Sequence, residues 1–238
     1  MRFGSGRLVK ALLNRRRWVI GCLAAAGCSR RGGGLVSAAT SIAAAVRAAV
    51  PGADVNAGPS HALAAQVRSG APVDVLVSAD RRWTTVDALG RDVLRRRVLA
   101  RGTLVLAAGG RGTSRGWSDV RRLAIGGDGV PVGDYAVEAM RTSGRWADWA
   151  GVDGLVRGGD AGTVAAYVAR GEVDAGIVYA TDAAAWRLTV LEPIDPATHR
   201  PIKYEAAQID PRGADVFDRL ASPDAAEVFR SAGFIIPG

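Results

Sequence analysis

Hydroxyl side chains stand at the starts of two predicted helices in the first third of the chain. Thr40-Ser41 precedes an apolar pattern with helical spacing over 41–50, and Gly58-Pro59-Ser60 precedes a second such pattern over 60–69. A helix N-terminus presents N–H groups without intrahelical acceptors and the positive end of the helix dipole. A serine there can cap the helix, or it can share a bound anion with the backbone amides. The spacing alone leaves both interpretations open.

Signatures of catalysis or of metal binding are weak elsewhere in the chain. Lys10 and Lys203 are the only lysines, and no Gly-x-x-x-x-Gly-Lys-Ser/Thr phosphate loop occurs, which argues against an ATPase. His61 and His199 lie far apart without nearby cysteines, so a zinc site is not expected. Ser114 lies in a Gly-x-Ser-x-Gly match, but no clear apolar helix follows it, as a nucleophile elbow requires. We therefore expect a protein that is not an enzyme and that uses no metal ion or cofactor.

The positive charge of the chain is concentrated in its first residues. The formal net charge is +8, yet residues 1–28 hold six of the 31 basic residues and no acidic one. The other 25 basic residues face 23 acidic ones, a net charge of about +2 over 29–238. Such a balance attracts a polyphosphate backbone only weakly, so a nucleic-acid partner is not expected.

The first 28 residues have the organisation of a secretion signal. A basic stretch ends in Arg15-Arg16-Arg17, an apolar run follows from Trp18 to Ala26, and Ala25-Ala26-Gly27-Cys28 resembles a bacterial lipobox. The run is about half of the roughly 20 residues that a membrane span needs. We expect a lipoprotein-type signal peptide over 1–28, a linker over 29–34, and export to the periplasm or cell envelope with a lipid anchor on Cys28. A plain cleaved signal is the alternative, and the general and twin-arginine export routes stay open.

The remaining chain, which holds no cysteine after Cys28, alternates short apolar runs with helical patterns. This alternation predicts an α/β protein with mostly parallel sheets. The clearest predicted strands are 35–39, 73–78, 102–108, 122–126 and 175–179, and the clearest predicted helices are 41–50, 60–69, 133–143, 162–170 and 223–232. Stretches near 102–106 and 203–207 are candidate crossovers between two lobes. We therefore predict lobe 1 over 35–104 and 206–238 and lobe 2 over 105–205.

Seven segments match one known family in order and spacing. They are Ser37–Ile42, Gly58–Leu63, Gly70–Trp83, Gly126–Ala136, Arg170–Asp182, Asp195–Tyr204 and Ser222–Phe234. Together they resemble the periplasmic molybdate-binding proteins of ABC transporters, over about 35–236. The resemblance implies a type II periplasmic-binding-protein fold, in which two crossover strands join two α/β lobes and the ligand lies between them. It also implies a monomer that delivers a tetrahedral oxyanion, molybdate and tungstate in the first place, to a membrane permease and its ATPase.

The resemblance carries over five anion-binding positions. Ser41 and Ser60 stand where the family uses serine hydroxyls and amides, Val132 and Ala161 where it uses backbone N–H groups, and Tyr179 where it uses a phenol. These groups donate hydrogen bonds and carry no positive charge. This donor set implies discrimination against phosphate, which keeps a proton that needs an acceptor.

Some residues depart from the family pattern, and other interpretations stay open. The loop before Pro131 is short, Glu205 stands where proline is common, and Pro59 lacks an N–H. Asp134 and Asp160 lie near the expected amide donors, and either would supply an acceptor for a protonated anion if it turned inward. Another oxyanion such as sulfate in the same fold, or an envelope lipoprotein without a transport role, are the alternatives.

Overall fold

The computed structural model describes residues 33–110 and 115–238. The predicted signal peptide, Cys28, most of the linker and Ser114 lie outside the described residues. The described part contains these strands: β1 Leu35–Ala39, β2 Asp54–Gly58, β3 Val75–Ser78, β4 Arg95–Arg101, β5 Leu104–Ala108, β6 Leu123–Gly126, β7 Leu155–Gly158, β8 Ala175–Tyr179, β9 Thr189–Pro193 and β10 Lys203–Gln208. It contains these α-helices: α1 Thr40–Ala49, α2 Ser60–Arg68, α3 Val86–Leu89, α4 Pro131–Thr142, α5 Trp146–Trp149, α6 Ala161–Arg170, α7 Ala180–Ala185, α8 Ala214–Leu220 and α9 Pro223–Ser231.

The described strands form two five-stranded sheets with equivalent topology. The first has the order β2-β1-β3-β10-β4 and the second the order β7-β6-β8-β5-β9. In each sheet the first three strands pair in parallel, and the fourth runs antiparallel to both of its neighbours. Four strands of each sheet thus share one direction. This arrangement agrees with the mostly parallel sheets that the sequence predicts.

Burial explains why the central strands have apolar sequences. β3, β5, β6 and β8 are buried along their whole length, as expected for strands with helices on both faces. The helices are amphipathic instead: α1 buries Ile42, Ala43, Ala45 and Val46 and leaves the rest of its surface more exposed.

The chain passes between the two sheets twice. It leaves the first sheet after Arg101 and enters the second at Leu104, and it returns between Pro193 and Lys203. Leu104 therefore belongs to the second sheet and Lys203 to the first. The predicted lobe boundaries, 104/105 and 205/206, lie within strands, because the apolar runs that suggested crossovers are the strands that follow each crossing.

Two glycines bring α4 unusually close to the end of β6. A Cβ atom on Gly126 would lie 2.5 Å from the backbone N of Gly133, and a Cβ on Gly133 would lie 2.2 Å from the carbonyl O of Gly126. No other residue type fits at either position without moving the backbone. This contact holds the first turn of α4 against the carboxyl end of the second sheet.

No helix within 33–110 and 115–238 has both the length and the apolar character that a membrane crossing requires.

Candidate functional site

Among the described residues, four helices from the two sheets begin at one small cavity. α1 and α2 reach it from the first sheet, and α4 and α6 reach it from the second. The volume of the cavity is about 20 Å³, roughly enough for one or two water molecules. Its lining residues are Ala39, Thr40, Ser41, Pro59, Ser60, Ala79, Val130, Pro131, Val132, Asp160, Ala161 and Tyr179. A compact ion suits a cavity of this size better than a sugar or an amino acid does.

Three of these helices begin without a side-chain cap from any described residue. Ala39, Pro59 and Val130 stand at the N-cap positions of α1, α2 and α4, and none of these side chains can accept a hydrogen bond. The first N–H groups of a helix have no intrahelical acceptor, so a partner must come from elsewhere. Free N–H groups and the positive ends of the helix dipoles together favour an anion in the cavity.

All five residues that the sequence assigned to anion binding line this cavity. Ser60 is the first residue of α2 and is buried, and its Oγ accepts a hydrogen bond of 3.1 Å from the backbone N of Ala79. Its own O–H is therefore free to donate. Val132 and Ala161 are in the first turns of α4 and α6, where backbone N–H groups lack intrahelical acceptors. The assignment of all five residues to ligand binding stays a prediction.

Tyr179 ends β8 at the cavity and is only 1% exposed. Its phenol oxygen finds no hydrogen-bond partner among the described residues. Burial, together with the nearby Tyr204 and Tyr135, raises the pKa of the Tyr179 phenol well above its usual value of 10.0. The group therefore keeps its proton at neutral pH and can act as a donor. A buried donor without a partner is uncommon, because leaving it unsatisfied costs about 1–3 kcal/mol.

Ser41 lies beside Thr40, a residue that the sequence analysis did not assign to anion binding. α1 starts at Thr40, so both hydroxyls lie in its first turn and both line the cavity. Ser41 Oγ accepts a hydrogen bond of 3.2 Å from the Tyr204 phenol. Thr40 Oγ1 donates across the cleft to Asp160 Oδ2 at 3.3 Å. The resemblance selected Ser41 alone, and the structure brings both neighbours to the cavity.

Of the two flanking aspartates, only Asp160 lines the cavity. Its Oδ1 accepts a hydrogen bond of 2.6 Å from the Thr163 N and caps α6. Asp134 instead pairs with Arg82 and accepts from the Gly129 N at 3.2 Å. The sequence predicts a site with hydrogen-bond donors only. The structure adds an acceptor, because the capping carboxylate of Asp160 borders the cavity.

The described residues that line the cavity include no lysine, arginine or histidine. An anion here would be held by neutral hydrogen-bond donors and helix dipoles. His61 and His199 do not line this cavity, and no group of three His, Cys, Asp or Glu side chains in the described ranges is placed to hold a metal ion.

The buried carboxyl group of Asp182 lies in the first turn of α7, three residues after Tyr179. Its Oδ2 finds no hydrogen-bond partner among the residues the structure describes. Burial, and to a smaller extent the charge of Asp160, raises the pKa of the Asp182 carboxyl from 3.8 to about 7. At neutral pH a large fraction of this group is therefore uncharged.

Comparisons with known proteins place the chain among transport proteins. Residues 32–235 match the model of a family described as bacterial extracellular solute-binding protein. The chain is 32% identical over 196 residues to the molybdate-binding protein ModA of Escherichia coli, a match that covers 74% of this chain and 76% of that protein. It is 29% identical over 195 residues to the putative ABC transporter substrate-binding lipoprotein YvgL of Bacillus subtilis, over 75% of this chain and 74% of that one.

A solved structure supports the same conclusion about the fold. The periplasmic molybdate-binding protein of Azotobacter vinelandii superposes with a TM-score of 0.74 at 22% identity, over 86% of this chain and 99% of that one. The two-lobed type II fold expected from the sequence is thereby confirmed.

The raised pKa of Asp182 predicts an effect of pH on stability. The folded protein binds the Asp182 proton more tightly than the unfolded chain does, so the stability that this group contributes below pH 3.8 is lost as the pH rises to about 7. Asp182→Asn removes this titration. We expect the free energy of unfolding of the variant, relative to the wild type, to rise by about 3–4 kcal/mol between pH 4 and pH 8.

Urea unfolding at several pH values measures this difference, with Asp153→Asn at an exposed position as the control. Parallel pH curves for Asp182→Asn and the wild type would contradict the prediction.

Proposed function

The chain belongs to the bacterial extracellular solute-binding proteins, and we propose that it is the molybdate-binding component of an ABC importer. In this role it captures a tetrahedral oxyanion between its two lobes and delivers it to a membrane permease driven by an ATPase. The proposed activity is binding alone, without enzymatic turnover and without a cofactor.

One observation carries the proposal: four helix N-termini from two lobes meet at a cavity that holds no basic side chain among the described residues. Two opposed lobes surround an ion on all sides, which suits a tetrahedral anion with an oxygen toward each wall. Neutral donors satisfy such an anion without a buried counter-ion. The similarity to the molybdate-binding protein of Escherichia coli supports molybdate as the ion.

The proposal includes tungstate as a ligand, and sulfate is the main alternative ligand. Molybdate and tungstate carry no proton at neutral pH, so both present only acceptors to the Ser60, Tyr179 and backbone donors. Sulfate also presents only acceptors. Discrimination between sulfate and molybdate therefore depends on the size of the cavity. Phosphate keeps at least one proton on oxygen at neutral pH, and a second proton part of the time, since its second pKa is about 6 to 7. Asp160 is the one carboxylate among the described lining residues that could accept this proton, and its hydrogen bonds with Thr163 and Thr40 limit that role.

Export and anchoring complete the proposal. We place the protein outside the cytoplasmic membrane, as a monomer held there by lipid on Cys28. The leader supports this through its basic stretch, short apolar run and lipobox-like Ala25-Ala26-Gly27-Cys28. The similarity to a substrate-binding lipoprotein of Bacillus subtilis supports the same location.

Binding of molybdate should stabilise the purified protein by mass action. At a free concentration one hundred times the dissociation constant, the expected stabilisation is about 2.7 kcal/mol. Thermal unfolding with and without millimolar molybdate measures it, and calorimetric titration with molybdate, tungstate, sulfate and phosphate ranks the anions. An unchanged melting temperature with molybdate refutes the proposed function, whereas a preference for sulfate would transfer the function to that anion.

Removing single donors should weaken anion binding. Ser60→Ala and Tyr179→Phe each remove a hydrogen bond to a charged ligand, worth roughly 1.5–3 kcal/mol, or about tenfold to a hundredfold in affinity. The Tyr179 hydroxyl has no partner among the described residues, so Tyr179→Phe should leave the melting temperature of the ligand-free protein equal or higher. Tyr167→Phe, on α6 and outside the cavity lining, is the matched control. Wild-type affinity in both variants would show that these donors do not contact the anion.

The anchor on Cys28 can be tested by fractionation. We expect the wild-type protein in the membrane fraction with a lipid mass on Cys28, and Cys28→Ser in the soluble fraction with its anion affinity unchanged. Mass spectrometry of the N-terminal peptide provides the measurement. An unmodified Cys28, or cleavage at another residue, would rule out the anchor.

A further inference from the structure

Five charged side chains form one cluster beside the cavity, which we call the rim cluster: Asp80, Arg82, Asp134, Glu138 and Arg200. Asp80 and Arg82 follow β3 of the first sheet, whereas Asp134 and Glu138 are one turn apart on α4, which packs on the second sheet. Arg200 lies in the segment that returns from β9 to β10. None of the five is assigned to ligand binding by sequence, and none lines the cavity.

The ion pairs of the rim cluster join the two lobes. Arg82 pairs with Asp134 across the cleft, and its Nε lies 3.2 Å from Asp80 Oδ2 on its own side. Arg200 Nη2 lies 2.6 Å from Asp80 Oδ2, while Arg200 Nη1 pairs with Glu138. The backbone N of Arg200 also donates to Glu138 Oε2 at 3.1 Å. Arg82 and Arg200 thus each bridge an acid of the first lobe and an acid of the second.

Further contacts next to the rim cluster also join the two lobes. The Arg200 guanidinium lies 4.4 Å from the centre of the Tyr135 ring, and the Tyr135 phenol donates to the Ala79 carbonyl of the first lobe at 3.3 Å. Ala79 is itself a lining residue of the cavity and donates its N–H to Ser60. Contacts at the rim therefore form only when the lobes are close enough to enclose the cavity.

Exposure decides how strong these pairs can be. The Asp80 side chain is 7% exposed and that of Asp134 is 24% exposed, whereas that of Arg82 is 42% exposed. A single exposed ion pair contributes little to stability, but a network with partly buried carboxylates contributes more. If the lobes separate, Arg82 keeps Asp80 and loses Asp134, which retains only the Gly129 N–H.

We propose that the rim cluster is a latch that holds the two lobes closed over the bound anion, with Arg82 and Asp134 as positioning residues that never touch it. This proposal rests on the proposed function only in that the bound anion is taken to be molybdate. Its effect falls on the dissociation rate, because affinity differences among variants of one binding site arise mostly there. Salt screens the exposed part of the network, so the release of the anion becomes faster as ionic strength rises.

A double-mutant cycle on Arg82 and Asp134 tests the latch. Arg82→Gln and Asp134→Asn each remove the charge of one partner, and asparagine keeps an acceptor for the Gly129 N–H. We expect each single variant to release molybdate about three to ten times faster than the wild type. The double variant should be no faster than the single ones, since both substitutions break the same pair. Arg82→Lys keeps the charge and should restore most of the slow release.

The control variant removes one arginine charge at a position away from the cleft. Arg230→Gln removes an arginine that pairs with Glu227 within α9, and its release rate should equal that of the wild type. Equal rates in Arg82→Gln and the wild type, or rates that multiply in the double variant, would overturn the latch.

A second measurement needs no ligand, so it separates the latch from the proposed function. Fluorophores on Ser69→Cys in the first lobe and Ala169→Cys in the second, both exposed positions, report the distance between the lobes once Cys22 and Cys28 are replaced by serine. We expect Arg82→Gln and 0.5 M salt, about threefold or more beyond physiological ionic strength, each to lengthen this distance. If the wild type fails to bind molybdate but the distance responds, the latch stands and the proposed ligand is wrong. An unchanged distance in both cases overturns the latch.

Discussion

The structure depends on one electrostatic constraint: several helix N-termini share one small space. The N–H groups in the first turn of a helix need acceptors, and the positive ends of helix dipoles repel one another when they converge. In this protein α1, α2 and α4 start without a side-chain cap among the described residues, so their first N–H groups are available to an acceptor in the cavity. In the proposed function the bound anion is that acceptor. Ser60 and Tyr179 add neutral O–H groups to the lining of the same cavity.

The equivalent topology of the two sheets explains how the helices converge. In each sheet a central strand leads into one helix at the cavity and the adjacent edge strand leads into another: β1 into α1 and β2 into α2, then β6 into α4 and β7 into α6. Parallel strands end at the same edge of a sheet, so the helix starts that follow them are neighbours. The absence of side chains at Gly126 and Gly133 allows α4 to lie close to this edge. Each lobe thus supplies two of the four helix N-termini, and the cavity is enclosed only when the lobes are together.

Negative charge near the cavity is limited by capping, pairing and protonation. Asp160 borders the cavity, but one of its oxygens is bound to the first turn of α6, where the helix dipole favours a carboxylate. Asp182 is buried with a pKa raised to about 7, which leaves much of it neutral. Asp80, Asp134 and Glu138 are paired with arginines outside the cavity lining. The carboxylates around the site therefore repel a bound anion less than their number suggests.

The sequence by itself determined the α/β class, the strands β1, β3, β5, β6 and β8, and the starts of the long helices to within two residues, because these follow from local apolar periodicity. The resemblance of seven ordered segments identified five residues that the structure brings to one cavity. The resemblance selected Ser41 and not its neighbour Thr40, whose hydroxyl also lines the cavity. Only the tertiary structure placed Asp160 at the cavity, turned Asp134 toward Arg82, left Tyr179 without a described partner and joined Arg82 and Arg200 to acids of both lobes. These contacts join residues that are 52 to 120 positions apart in the chain. They therefore depend on how the two sheets pack, which no local sequence pattern shows.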